Sequence, residues 1–189
     1  MIFGERIRLR ALERADLPCF VRWFNDPEVR QGLSRYLPLS MAEEEIWFEN
    51  ILKREAVERP LAIEVKSEDM PSRKEEIQHQ QDWILIGNAG FFNFDWRNRS
   101  AELGIMIGEK TCWNKGFGTE TLHLLLRHGF ATLNLHRIYL RVYENNPRAI
   151  RAYQKAGFTL EGRLRQAEFH DGKYQDVLVM GVLYPEWKE

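Results

Sequence analysis

From residue 100 to residue 157 the chain passes through strand, loop, helix, strand and helix with no linker between them. Residues 100–109, "SAELGIMIGE", form an apolar strand-like run, and residues 137–143, "RIYLRVY", alternate with the two-residue period of a strand. Between them Leu122, Leu125, Leu126, Gly129, Phe130 and Leu133 recur at i, i+3, i+4, i+7, i+8 and i+11, which is one face of a helix. A helix over residues 117–134 is roughly 27 Å long at the usual rise per residue. "NPRAIRAYQKAG" then supplies Asn146 as an N-cap, Pro147 at the first helical position and Gly157 as the stop. Strands and helices in such close alternation require a sheet covered by helices, an α/β arrangement.

The rest of the chain can be read around that segment. Residues 5–12 alternate Ile7 and Leu9 with arginines, as a half-buried strand does. "ADLPCFVRWFND" switches to helical spacing, with Asp16 as the expected N-cap and Pro18 in the first turn. Residues 26–40 are rich in turn formers and hold Val29, Leu33, Tyr36 and Leu37, which suits a short helix and a loop over a cleft. Ser40 and Glu43 make a capping box for a helix carrying Ile46, Trp47, Ile51 and Leu52. Residues 61–65 and 83–92 read as strands, and the polar stretch 66–82 between them as a long hairpin excursion. Asp171-Gly172 marks a hairpin between two final strands. No internal repeat is evident.

At 189 residues the chain suits one domain, 1–189, with a sizeable core. Its formal net charge of -1 gives no electrostatic reason to expect a nucleic-acid or acidic-membrane partner. Two cysteines, Cys19 and Cys112, make no disulfide framework. No apolar run reaches the length of a membrane span, and no secretory h-region opens the chain. A soluble, cytoplasmic protein is the default expectation.

The loop "CWNKGFGTET", residues 112–121, stands where the long helix begins. A helix N-terminus carries unpaired N–H groups and the positive end of the macrodipole, and glycine lets a bulky anion reach the backbone. The loop is therefore either a phosphate site or an ordinary strand-to-helix turn. Walker A has no match in the chain, and the dinucleotide fingerprint lacks its third glycine, because Gly116 and Gly118 are followed by Thr119, Glu120 and Thr121.

The stretches "AELGIMI", "WNKGFGTETLHLLLRHGF", "LNLHRIYLRVYENNPRAIRAYQKAGF" and "EGRLRQAEFHDGKYQDVLVMGVL" together resemble the GCN5-related N-acetyltransferases (GNAT). They cover nearly the whole C-terminal half, and "NDPEVRQ" is also similar to the RimJ/RimL-like branch that modifies ribosomal proteins and spermidine. The resemblance implies a single mixed, mostly antiparallel sheet of about seven strands with helices on both faces. It implies an acetyl-CoA-dependent acyltransferase, an N-acetyltransferase with no metal, whose partner is an amine acceptor: a protein N-terminus, a polyamine or another small amine. Such enzymes occur as monomers and as homo-oligomers.

Residue by residue, the resemblance has Asn114, Lys115, Gly116, Phe117, Gly118 and Thr119 wrap the pyrophosphate of coenzyme A. Trp113 takes the first place of the family's [QR]-x-x-G-x-[GA] loop. Ile105, Met106 and Ile107 match a splayed strand whose main-chain N–H groups meet the pantetheine arm and the thioester oxygen. Asn146 matches a residue that touches the cofactor arm while capping its helix. Tyr153 matches the general acid at the departing sulfur; the alternative is packing beside Ile150 with a hydrogen bond to the coenzyme. Glu102 shares a strand face with Gly104 and Met106. It either pairs with Arg97, Arg99 or Arg141, or serves as base or amine-binding group, with a water chain as the other route for the proton. Cys112 reads as a small filler and His123 and His128 as unrelated residues. Two other functions stay open: an aminoglycoside-type acetyltransferase, which would favour an acidic acceptor cleft, and a non-catalytic acyl-CoA sensor.

Overall fold

The computed structural model describes residues 1–70, 82–170 and 172–188. In chain order the elements are β1 (Ile2–Phe3), β2 (Ile7–Ala11), α1 (Leu17–Asn25), α2 (Pro27–Arg30), α3 (Met41–Leu52), β3 (Leu61–Lys66) and β4 (Trp83–Asp95). They continue with β5 (Ser100–Ile107), α4 (Phe117–Arg127), β6 (Arg137–Tyr143), α5 (Pro147–Lys155), β7 (Thr159–His170) and β8 (Lys173–Leu183). Among the described residues these strands form one 8-stranded sheet in the order β1-β2-β3-β4-β5-β6-β8-β7. The expected seven strands are all present. The eighth, β1, is only two residues long, too short to leave a period in the sequence. All neighbours run antiparallel except β5 and β6.

Alternation along the strands sends side chains to two cores. On one face Ile7, Leu9, Ile63, Val65, Phe91 and Leu103 pack beneath Leu122, Leu125 and Leu126 of α4 and Tyr153 of α5. On the other, Leu17, Phe20 and Trp23 of α1 and Phe48 and Ile51 of α3 close over Ala62 and Met106. Gly108 marks where α1 meets the end of β5: a Cβ there would lie 2.1 Å from the Trp23 ring. Trp23 is thus core, 3% exposed. No described helix is long and apolar enough to cross a membrane.

Two local expectations are corrected. The helix over residues 117–134 is α-helical only to Arg127, and His128–Thr132 continue as a wide π turn. The turn falls at Gly129, whose close approach to the sheet leaves no room for a side chain: a Cβ would lie 2.6 Å from Ile138 and 3.0 Å from the Phe91 ring. Asp16 does not cap α1 with its side chain. Its carboxylate accepts the Glu13 N–H at 2.8 Å and pairs with Arg10 at 2.7 Å. Arg10 also reaches Glu64, as does Arg8, so the arginine face of β2 is a braced ion network rather than a solvated one.

Other expectations hold. Ser40 and Glu43 cap α3 reciprocally. β3 and β4 pair down to Lys66–Trp83, and the Ser67 N–H reaches the Asp82 carbonyl at 3.0 Å. Of the stretch 66–82, residues 71–81 lie outside the described residues. So does Asp171, although His170 pairs with Lys173 and Gly172 takes φ +79°.

Candidate active cleft

β5 and β6 pair only at Ser100–Glu102 against Arg137–Tyr139. Beyond those rungs the strands part, and the opening is a cleft of about 770 Å³ lined by Leu103–Ile107 on one side and Arg141–Tyr143 on the other. The main chain of β5 is left with groups facing the gap. The Ile107 carbonyl accepts the Trp113 indole N–H at 2.7 Å, where a neighbouring β6 would otherwise pair with it. A strand residue points its N–H and C=O to the same side and its neighbours to the other. Ile105 and Ile107 therefore turn their N–H groups to the cleft, while Met106 turns its own to β4.

The glycine loop closes one end of this opening. Gly116 sits at the N-cap of α4 with φ +88°, and Asn114 also has a positive φ of 60°. These left-handed residues turn the chain into α4, and Gly118 and Thr119 of its first turn, whose N–H groups have no partner within the helix, line the cleft. Gly118 has open space around its missing Cβ, with Ile107 the nearest neighbour at 3.9 Å. Of the six loop positions inferred from resemblance, Asn114, Gly116, Gly118 and Thr119 line the cleft. Lys115 and Phe117 do not; Phe117 is 2% exposed and belongs to the core. Trp113 lines the cleft and carries the Arg148 guanidinium, 3.4 Å from its ring centroid.

α5 forms the opposite wall. The Asn146 side chain accepts the Ala149 N–H at 3.1 Å, the expected cap, and also lines the cleft. Tyr153 reaches the same cavity, packs edge-on against Phe158 at 5.9 Å, and is pushed up to about 12 by burial. Its phenol is protonated at neutral pH and therefore carries a proton it can give up. Arg148, Arg151 and Lys155 of α5 also line the cleft. Their i, i+3, i+7 spacing puts three cations on one helix face, a signal readable in the sequence that the motif reading passed over.

The remaining wall is built of charges from distant strands. Glu102 is 5% exposed, accepts the Asn93 amide N–H at 3.0 Å and lies 3.4 Å from Arg141. The Tyr139 hydroxyl donates to it as well, and burial together with the Glu102 charge raises that phenol's pKa. Of the partners expected for Glu102, Arg141 is the one found, and Glu102 also lines the cleft. A bulge between Leu164 and Glu168 brings both residues into the cleft, where Glu168 raises the pKa of Tyr143 beyond the effect of burial. Tyr36 is 74% exposed and lines no part of it, while Leu33 and Ser34 do.

Cys112 is buried against Met70, and burial pushes its thiol up to about 11, which keeps it a thiol at neutral pH. Among the described residues no group of three or more His, Cys, Asp or Glu could hold a metal.

Comparison with known proteins agrees with this geometry. Residues 6–159 match the family described as an acetyltransferase (GNAT) domain. The chain is 30% identical over 188 residues to p20, an uncharacterized N-acetyltransferase of Bacillus licheniformis, covering 98% of this chain and 97% of that protein. It is 31% identical over 185 residues to a spermidine N(1)-acetyltransferase of Vibrio cholerae, covering 97% and 96%. The crystal structure of the Vibrio cholerae spermidine N-acetyltransferase in complex with CoA and spermine superposes with a TM-score of 0.82 at 30% identity, over 97% of this chain and 98% of that one.

Proposed function

The chain belongs to the GNAT acetyltransferases, and on that premise we propose that it transfers the acetyl group of acetyl-CoA to a primary amine by direct attack on the thioester. The observation that carries this reading is the parting of β5 and β6 over a cleft that holds both the N-terminus of α4 and the side chain of Tyr153. Asn114 to Thr119 receive the diphosphate of coenzyme A on main-chain N–H groups, and Arg148, Arg151 and Lys155 add positive charge along α5. The pantetheine arm lies along β5, where the Ile105 and Ile107 N–H groups replace the missing β6 partner and polarise the thioester oxygen.

Tyr153 donates its proton to the sulfur as the C–S bond breaks. A phenol at about 12 is a weaker acid than a thiol in water, at ~8.5. Burial shifts both groups in the same direction, however, as the Cys112 thiol at about 11 illustrates within this protein. A thiolate leaving in the dry cleft is therefore a stronger base than one in water, and the transfer is easier than the solution values suggest. Glu102, fixed by Asn93 and Arg141, draws the acceptor amine to the cleft and takes its proton directly or through water.

The acceptor is a primary amine, and polyamines are the first to try, since spermidine stands in the names of relatives that match nearly end to end. A non-catalytic sensor has no use for a protonated phenol beside the sulfur. The test is an acetyl-CoA-consumption screen against polyamines, aminoglycosides and N-terminal peptides, with the acetylated product identified by mass spectrometry. Acetylation of an amine is expected. Tight acetyl-CoA binding with no acceptor in the panel modified, and no change on Tyr153→Phe, would favour the sensor.

A further inference from the structure

Arg6, just ahead of β2, lies outside the cleft lining and yet grips the phosphate loop from behind. Its Nη1 donates to the Lys115 carbonyl at 3.1 Å, and its guanidinium lies 4.7 Å from the Phe117 ring centroid. Its Nη2 is 3.3 Å from the place a Cβ on Gly116 would take. Glu120, in the first turn of α4, holds Arg6 there. The Arg6 Nε donates to Oε2 at 3.1 Å, and Oε1 accepts the main-chain N–H of Arg6 at 2.9 Å and of Ile7 at 3.3 Å.

Two consequences follow for a bound diphosphate. A trans peptide points its C=O and its N–H in opposite directions. Pinning the Lys115 carbonyl to Arg6, on the outer side of the loop, therefore aims the Gly116 N–H at the cleft. The loop needs such a hold, because Asn114 has a left-handed φ that persists only where neighbours enforce it. The second consequence is electrostatic. Glu120 stands at the end of α4 that receives phosphates, and unpaired it would repel them; the Arg6 contact at 3.0 Å cancels that charge.

We infer that Arg6 is the positioning residue of the diphosphate site: it orients the Gly116 N–H toward the ligand and neutralises Glu120, touching neither cofactor nor acceptor. The inference rests on the acetyl-CoA reading of the cleft. In Arg6→Gln, the calorimetric Kd for CoA and the KM for acetyl-CoA rise about tenfold, with kcat at saturating donor within about twofold. S-acetylpantetheine, which keeps the thioester and lacks the diphosphate, separates this role from general loosening: its kcat/KM penalty is at least about fivefold smaller. Arg6→Lys restores part of the affinity, since it keeps the charge and loses the planar fork. It also serves as the test if Arg6→Gln fails to fold. In Arg6→Gln/Glu120→Gln the loss is smaller than in Arg6→Gln, because the uncompensated carboxylate is gone.

Equal penalties for the two donors, or an unchanged Kd for CoA, would overturn the inference while leaving the acetyltransferase reading standing. A wild-type chain that binds no CoA would overturn both.

Discussion

The two walls of the cleft are built on different principles. The wall formed by the glycine loop and β5 brings main-chain groups and small residues to the cavity, with Asn114, Gly116, Gly118 and Gly104 in its lining. Phe117 is buried beneath the loop it belongs to, and Ile105 and Ile107 offer N–H groups whatever their side chains. The wall formed by Glu102, Arg141, Glu168 and the loop after α2 is made of side chains gathered from β4, β5, β6 and β7. Recognition through the backbone tolerates substitution, which is how Trp113 can stand at the head of the loop and still tie it to Ile107. Recognition through side chains has no such tolerance.

That contrast can be attacked by mutation, beginning where the largest effect is expected. Tyr153→Phe removes the proton donor and leaves the backbone wall intact. The kcat for amine acetylation should fall about 100-fold while the Kd for CoA stays within about twofold. Comparable losses in both would mean that the phenol serves binding rather than proton transfer. Gly118→Val places a branched side chain in the cleft without left-handed strain, so CoA affinity should drop about 30-fold with an unchanged melting temperature. An unaffected Kd would show that the main chain there does not approach the ligand.

Glu102→Gln probes the side-chain wall. It keeps an acceptor for Asn93 and loses the charge, and kcat/KM for the amine should fall about tenfold at constant CoA affinity. A change in CoA affinity instead would dissolve the distinction between the walls. The smallest effect is expected behind that wall, on α3. Glu44 is buried, its Oε1 has no hydrogen-bond partner among the described residues, and burial pushes it up to about 7, against an opposing field from Arg35. An unfolded carboxyl titrates near ~4.3. Between those values the folded chain keeps a proton that the unfolded chain has released, so stability is lost as pH rises through this window. Glu44→Gln should therefore raise the melting temperature by roughly 3 °C at pH 8 and leave it unchanged at pH 4.

The same contrast explains what could be read in the sequence. The seven long strands, the capping box at Ser40 and the Asn146 cap were legible because each is a local pattern. The glycine loop was legible because main-chain binding leaves its mark in glycines and spacing. Glu102 could be found as an acid on a strand, but its ties to Asn93, Arg141 and Tyr139 come from two other strands, β4 and β6. Glu168 gave no signal, since the bulge that brings it to the cleft depends on pairing with β8. Arg6 read as one arginine of an alternating strand. Its contact with a loop 109 residues away exists only in the folded sheet. The helix break at Gly129 was hidden for a similar reason: the apolar period runs straight through it, and only the nearness of Ile138 and Phe91 reveals it.

The short parallel pairing of β5 with β6 also bears on how stiff the molecule is. Within the sheet, three rungs join the five-stranded panel β1–β5 to the three-stranded panel β6–β8–β7, against seven rungs between β6 and β8. An extended arm laid along the gap would supply the missing rungs, so the donor becomes a strut of the sheet as well as a reagent. Release of the spent carrier then unstitches the seam, and amide exchange in β6 should quicken each time the cleft empties.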